Sequence, residues 1–461
     1  MSTTPAPQVG AGLGTVTHSE SKDRRRALVS GYLGSTVEFY DFLLYGTAAS
    51  LVFPALFFGG MPAAVGVVLS YVTLAAGYVA RPLGGIIFGH FGDRYGRKKM
   101  LFVTMAMMGS ASVLVGALPG SAQIGILAPI LLVTLRVIQG IAVGGEWAGA
   151  TLLGMEHSKA GKRGFSASIA VSGGPSGAVL ATIVLAVFSM LPAGQFLAWG
   201  WRVPFLLSAI LVLIALWLRY RVTESPMFLK AQQAAEEAGT LRSSVPIVNV
   251  LRNHWPAVLV CVLAGLAPLF LQSLMATFTL TYAVKSGQPQ TLVLLMMTIS
   301  TFLHIFAIPA WAALSDKVGR RPVLIAGTIV GLAVIWPIFA LVGSGNIWLL
   351  LLGYILANPI AQAMMYGPIG AFISEKFPTK LRYTGVSLSY QLATTLGAGF
   401  APLIAAGLLA GGHGSTWMVS AFFSLLCVVS GLAFLVAKET GRTVDTQNED
   451  SEVRASGLVK A

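Results

Sequence analysis

Twelve apolar runs, each about as long as a lipid bilayer is thick, constrain this chain more than any other feature. A spanning helix needs roughly 20 apolar residues. The runs fall at 28–57, 64–90, 100–118, 122–145, 165–190 and 202–219, then at 256–284, 291–313, 322–342, 347–372, 384–410 and 415–437. Backbone groups inside lipid must pair within their own segment, so runs of this length are expected as helices. Only 10% of the 461 residues are charged and 55% are hydrophobic, too few charges to keep a water-exposed surface in solution. The two cysteines, Cys261 and Cys427, lie in apolar runs with neither a disulfide framework nor zinc spacing. No metal or cofactor is expected. Residues 1–27 are polar and basic with no apolar core and cleavage site, so the first run is the expected insertion signal.

Basic residues set the expected orientation. With the N-terminus inside, 26 of the 30 lysines and arginines fall in inner segments. Arg202 and Lys285 fall in outer loops, and Arg81 and Arg136 fall inside helices. The net charge of +13 is thus a topology signal and does not point to nucleic acid. Both termini are expected in the cytoplasm of a multi-pass membrane protein. The longest polar stretch, 221–255, reads as a cytoplasmic linker. The expected division is a tail at 1–27, a bundle at 28–220, the linker, a bundle at 256–437 and a tail at 438–461.

Three landmarks repeat. Asp93-Arg94-Tyr95-Gly96-Arg97 follows the second run, and Asp316-Lys317-Val318-Gly319-Arg320 follows the eighth. Glu156 and Arg163 follow the fourth run at the same spacing as Glu375 and Arg382 after the tenth. Glu224 follows the sixth run as Glu439 follows the twelfth. Two homologous halves follow, related by an axis along the membrane normal. The expected fold class is an all-α membrane protein, with twelve transmembrane helices in two pseudo-symmetric six-helix bundles.

The loop Gly89-x-x-x-Asp93-Arg94-x-Gly96-Arg97-Lys98 resembles the hallmark of the major facilitator superfamily. Further strings resemble its metabolite:proton symporter branch: Glu38-Phe-Tyr-Asp41-Phe, Arg81-Pro-Leu-Gly-Gly, Arg136-Val-Ile-Gln139-Gly, Gly144-Gly-Glu146-Trp147 and Trp199-Gly-Trp-Arg202. The second half departs from the hallmark, with Ala312 in place of Gly89. The resemblance implies a major facilitator fold and proton-coupled transport of organic acids, shikimate-like compounds or osmolytes. It also implies a monomer in the lipid bilayer whose partners are a small-molecule substrate and protons.

Intramembrane charges are costly and mark function. Glu38 and Asp41 are three apart on the first run and share a face. Asp41 and Arg136 both fall near mid-depth. In related proton-coupled facilitators an acid on the first helix faces an arginine on the fourth, and these two residues match those positions. Asp41, with Glu38, is therefore the expected proton carrier; the alternative is a permanent ion pair holding two helices together. Arg136 is expected to bind a substrate carboxylate; Arg81 either does the same or pairs with Glu38, and Gln139 and Tyr40 lie beside them, Tyr40 as a ligand or as a wall residue. The second half offers neutral polar groups at depth: Gln272, His304, Asn358, Gln362, Tyr366 and Gln391. These are expected to read the rest of the molecule.

A gate is expected at the inner face. Asp93 can cap a helix of the other half or pair with Arg97, and Gly96 permits a tight turn. Arg94, Glu146, Glu156 and Arg163 are its expected partners in the first half, and Asp316, Arg320, Glu375 and Arg382 in the second. The competing transporter reading is a drug:proton antiporter, from Ser172-Gly-Gly-Pro-Ser-Gly177. That string lacks the glycine that precedes the motif, and two arginines at depth suit an anion better than a cationic drug. From another class, a transporter-like sensor would need a larger soluble domain than 221–255. No metalloprotease, nucleophile-elbow or P-loop motif is present, so no enzyme is expected.

Overall fold

The computed structural model describes residues 18–439 apart from 160, 226–227, 230–231 and 234–245. Of the expected tails at 1–27 and 438–461, residues 1–17 and 440–461 lie outside the described residues, as does most of the expected linker helix. Twelve long helices carry the fold. They are α1 (His18–Leu51), α2 (Ala63–Tyr95), α3 (Arg97–Ala117), α4 (Leu127–Glu156), α5 (Arg163–Ser189) and α6 (Phe196–Tyr220). The second half repeats them as α7 (Trp255–Lys285), α8 (Gln290–Val318), α9 (Arg320–Val342), α10 (Ile347–Ser374), α11 (Thr379–Gly411) and α12 (Trp417–Val436).

Eleven of these are long and apolar enough to cross a membrane by length and composition. The exception is α1. Its first turns carry Lys22, Arg24, Arg25 and Arg26, and Glu38 and Asp41 sit at its centre, so its hydropathy falls below that of the others. Large apolar side chains such as Val79, Leu213 and Val436 face outward, as a lipid-facing surface requires. Among the described residues every long element is a helix.

α1 begins at His18, ten residues before its expected start at 28, so basic residues expected in the tail lie on its first turns; the other large differences fall where charge is buried. α4 continues to Glu156, about three turns past its expected end at 145. Glu156 therefore closes a helix instead of standing in a loop. α6 begins at Phe196, so Arg202 is inside it, where its Nη1 donates to the Gly116 and Leu118 carbonyls at the end of α3 (2.9 and 2.7 Å). Arg219, expected among linker charges, is 2% exposed within α6.

Each half is a bundle with its own internal packing, and the most extensive contacts between the halves are made by two helix pairs. α2 packs on α11, and α5 packs on α8. Small residues allow the first approach: a Cβ at Gly89 would stand 2.7 Å from Thr384 Cα. The turns between α2 and α3 and between α8 and α9 repeat each other. Gly96 has φ +102° and Gly319 φ +105°, a backbone state L residues rarely adopt. Three helices of the second half widen into a π-type turn at depth, at Leu274–Phe278, Leu356–Gln362 and Thr395–Gly399. Such turns are frequent where helices serve function.

Candidate functional site

The first half holds a small pocket lined in part by Glu38, Asp41, Arg81, Arg136 and Gln139. It adjoins a second pocket between the halves, lined in part by Glu38, Tyr78, Arg81, Gln272, Tyr390 and Thr394. Four charged side chains meet here with little access to solvent. Glu38 is 4% exposed, Asp41 2%, Arg81 8% and Arg136 5%. They arrive from three helices, α1, α2 and α4. The helical period brings Glu38 and Asp41 to one face, as expected from their spacing.

The two arginines share one aromatic ring. The Arg81 and Arg136 guanidiniums each lie 5.3 Å from the Phe42 centroid. Arg81 also lies 4.6 Å from the Tyr78 ring, and Arg136 4.2 Å from the Tyr45 ring. Ring faces attract cations, so these contacts hold the arginines without neutralising them. Among the described residues no carboxylate oxygen stands within 4.0 Å of either guanidinium. One oxygen of each acid, Glu38 Oε2 and Asp41 Oδ1, also lacks a hydrogen-bond partner.

Asp41 and Arg136 thus do not form the ion pair that was the alternative to proton carriage. Two neutral side chains stand between them. Arg136 Nη1 donates to Gln139 Oε1 (3.2 Å), Gln139 Nε2 donates to Ser112 Oγ (2.7 Å), and the Ser112 hydroxyl donates to Asp41 Oδ2 (2.5 Å). Ser112 was not among the expected site residues. A serine in an apolar run gives no sequence signal beyond its polarity.

Several expected ligands belong to helix packing. Tyr40 turns away from the cavity and donates to the Pro204 carbonyl on α6 (3.0 Å). Asn358 donates to Ser300 (3.4 Å), and Gln362 donates to the Pro268 carbonyl (3.4 Å). His304 is buried on α8 beside Gln362. Gln391 reaches across the halves to the Val143 and Gly144 carbonyls on α4 (3.4 and 3.2 Å). Tyr366 bonds to Tyr390 (2.5 Å), and Tyr390 stacks on Trp147 with ring centroids 3.4 Å apart. Of the neutral candidates in the second half, the structure brings Gln272 to the cavity between the halves, together with Tyr390 and Thr394.

At the face where α1 and α7 begin, acids cap helices in a repeated pattern. Asp93 at the end of α2 accepts from the Tyr383 and Thr384 amides of α11 (3.0 and 2.9 Å). Asp316 at the end of α8 accepts from the Gly164 and Phe165 amides of α5 (2.8 Å each). Each acid thus meets the positive end of a helix in the opposite half. Glu224 and Glu439 repeat the device within a half. Glu224 accepts from the Arg97 and Lys98 amides of α3 (3.2 and 3.1 Å), and Glu439 from the Arg320 and Arg321 amides of α9 (2.9 Å each). The internal repeat marks these two glutamates, but only the fold shows which amides they cap.

Ion pairs knit the same face. Glu156 takes Arg97 (3.1 Å) from its own half and Arg382 (3.2 Å) from the other. Arg320 bridges Asp316 (2.6 Å) and Glu375 (3.3 Å). Arg163 opens α5 next to the amides that Asp316 caps. Two expected members of this network stand apart from it. Arg94 is exposed and lies over the Tyr95 ring (5.7 Å). Glu146 is buried inside the first half, where it pairs with Arg219 and accepts from Thr104 (2.9 Å). It lies ten residues before Glu156, about 15 Å deeper along the helix axis.

A two-bundle chain with a charged cavity at depth and reciprocal helix caps at one face has the architecture of a secondary transporter. The comparisons with known proteins give its family. Residues 27–249 match the family described as Sugar (and other) transporter, and residues 260–460 match the Major Facilitator Superfamily. The Shikimate transporter of Escherichia coli (strain K12) is 40% identical over 421 residues, covering 91% of this chain and 95% of that one. A Proline/betaine transporter of Salmonella typhimurium (strain LT2) is 32% identical, covering 91% of this chain and 84% of that one. The chain belongs to the major facilitator superfamily and is a multi-pass membrane transporter. Its fold is shared with the proton:xylose symporter XylE bound to 6-bromo-6-deoxy-D-glucose, at TM-score 0.70 and 20% identity over 92% of this chain and 98% of that one. The inward open conformation of XylE from E. coli matches the same fold at TM-score 0.61 and 19% identity.

Proposed function

We propose that this chain carries a small organic acid together with protons, as a symporter working by alternating access. Asp41 is the proton carrier, with Glu38 beside it, and Arg136 with Arg81 receives the substrate carboxylate. The observation that carries this reading is the pair of buried guanidiniums held over Phe42 with no carboxylate within 4.0 Å among the described residues. Burying such charges is expensive unless a partner arrives, and a bound anion supplies one. Three rings at the site, Phe42, Tyr78 and Tyr45, already carry an arginine and offer those faces to no ligand cation. That favours an anion over a betaine or a cationic drug. Gln272, Tyr390 and Thr394 contact the uncharged part of the substrate.

Asp93, Gly96, Arg97, Glu156, Arg163, Asp316, Arg320, Glu375 and Arg382 form the gate, a reading supported by the caps and ion pairs that join the halves there. That face is cytoplasmic in a bacterial inner membrane, with both termini and the 221–255 linker on the same side. The bundles span 28–220 and 256–437. Uptake by proteoliposomes tests the reading, with shikimate as the probe because a relative bears that name. An inward proton gradient should drive accumulation above the external concentration. Equal uptake with and without the gradient, at a level that only equilibrates, would remove proton coupling.

A further inference from the structure

Asp41 and Arg136 are linked by a chain of donors that all point one way. Arg136 gives a hydrogen to Gln139, Gln139 to Ser112, and Ser112 to Asp41. The chain is sealed: Gln139 is 3% exposed and Ser112 0%. Its direction is fixed at the guanidinium end, because an arginine side chain cannot accept a hydrogen bond. Gln139 must turn its carbonyl oxygen to Arg136, which leaves its amide group for Ser112. Ser112 Oγ then accepts, and its one hydrogen is left for the carboxylate.

We infer that Ser112 and Gln139 are positioning residues that carry the state of Arg136 to Asp41, and so couple anion binding to protonation. The inference rests on the proposed roles of Asp41 and Arg136. With the site empty the chain is continuous, and the Ser112 hydroxyl favours the charged form of Asp41. An anion arriving at Arg136 competes with Gln139 Oε1 for the guanidinium. Donors in a chain polarise one another, so the loss weakens Gln139 as a donor to Ser112, and Ser112 as a donor to Asp41. Asp41 then takes a proton from the transport path at Oδ1, the oxygen without a partner. Linkage makes the effect reciprocal: a proton on Asp41 releases Ser112, loosens the hold of Gln139 on Arg136 and favours the anion. Unlike a direct ion pair, the relay leaves the guanidinium reachable while the acid is still charged.

Other groups face Asp41 and act in parallel. Glu38, Tyr40 and Tyr45 stand on its own helix, with Tyr45 under Arg136. Arg81 comes from α2, Arg136 from α4 and Ser208 from α6. The relay is therefore tested by cutting it without altering any charge.

Infrared titration of the full-length protein in bilayers reads Asp41 as the protonated-carboxyl band that disappears in Asp41→Asn, and it needs no ligand. Ser112→Ala and Gln139→Met should each raise the midpoint of that band by about one pH unit, as loss of a hydrogen bond to a carboxylate does. Ser112→Thr keeps the hydroxyl and should restore it. With shikimate as probe, the rise in dissociation constant from about pH 5 to about pH 8 should be roughly tenfold smaller in Ser112→Ala than in the wild type. Midpoints unchanged in both variants would overturn the relay and leave the roles of Asp41 and Arg136 intact. Absence of any titrating band that Asp41→Asn removes would overturn those roles and the relay together.

Discussion

The side chains that matter most here are charges kept apart at depth. Arg136 and Arg81 are held by ring faces and a neutral glutamine. Arg136→Lys should therefore keep the fold but weaken binding of a carboxylate probe by about tenfold or more in equilibrium binding, because a point charge cannot form the bidentate fork. The Glu146–Arg219 pair is different in kind: both side chains are sealed within the first half, and a Cβ on Gly34 of α1 would run into them. Arg219→Ala leaves a buried carboxylate alone and should destabilise the protein by about 3–5 kcal/mol. Glu146→Gln with Arg219→Met, which leaves no charge, should recover most of the lost thermal stability. The four charged residues of the cavity were legible from sequence, because ionisable groups inside apolar runs are rare. Ser112 was not, and Arg219 read as a loop charge. Hydropathy gives depth along a run but not which neighbouring helix a side chain meets. For the same reason the sequence does not show which helices Tyr40, Asn358 and Gln362 bond to.

Helix termini are the working parts at the next scale. Four acids at equivalent places in the two halves each accept from two backbone amides, two across the halves and two within them. The caps across the halves must break if the bundles rock, whereas those of Glu224 and Glu439 can persist. Asp93→Asn removes the charge and one acceptor, and caps of this kind contribute about 0.5–2 kcal/mol. The variant should show probe affinity within about threefold of the wild type and transport slowed by up to about tenfold. Normal turnover with weakened binding would contradict the assignment of Asp93 to the gate. The internal repeat made this pattern half legible. It located all four acids and allowed Asp93 either a helix cap or Arg97. The choice needed the fold, which hands Arg97 to Glu156. Helix ends were misjudged mainly at α1, whose basic first turns read as a tail, and at α4 and α6, where charged residues that looked like loop markers are buried inside helices.

At the scale of the whole molecule, the halves are closed on each other at one face and share a cavity at depth. The two native cysteines are buried, so introduced cysteines can be read against a low background. Ser286→Cys, at an exposed position after α7, should be labelled from outside intact cells. Gln233→Cys, also exposed, should not. Labelling of the latter alone would invert the proposed topology. The central claim is that anion and proton bind together through Arg136 and Asp41. As pH rises, Asp41 loses its proton, the chain from Arg136 re-forms, and affinity for the anion falls. The direct measurement is equilibrium binding of shikimate from about pH 5 to about pH 8, in the wild type and in Asp41→Asn. The wild type should weaken as pH rises, by up to about tenfold per unit, while Asp41→Asn should bind with nearly constant affinity. Two curves falling in parallel would contradict the account and pass the coupling role to Glu38.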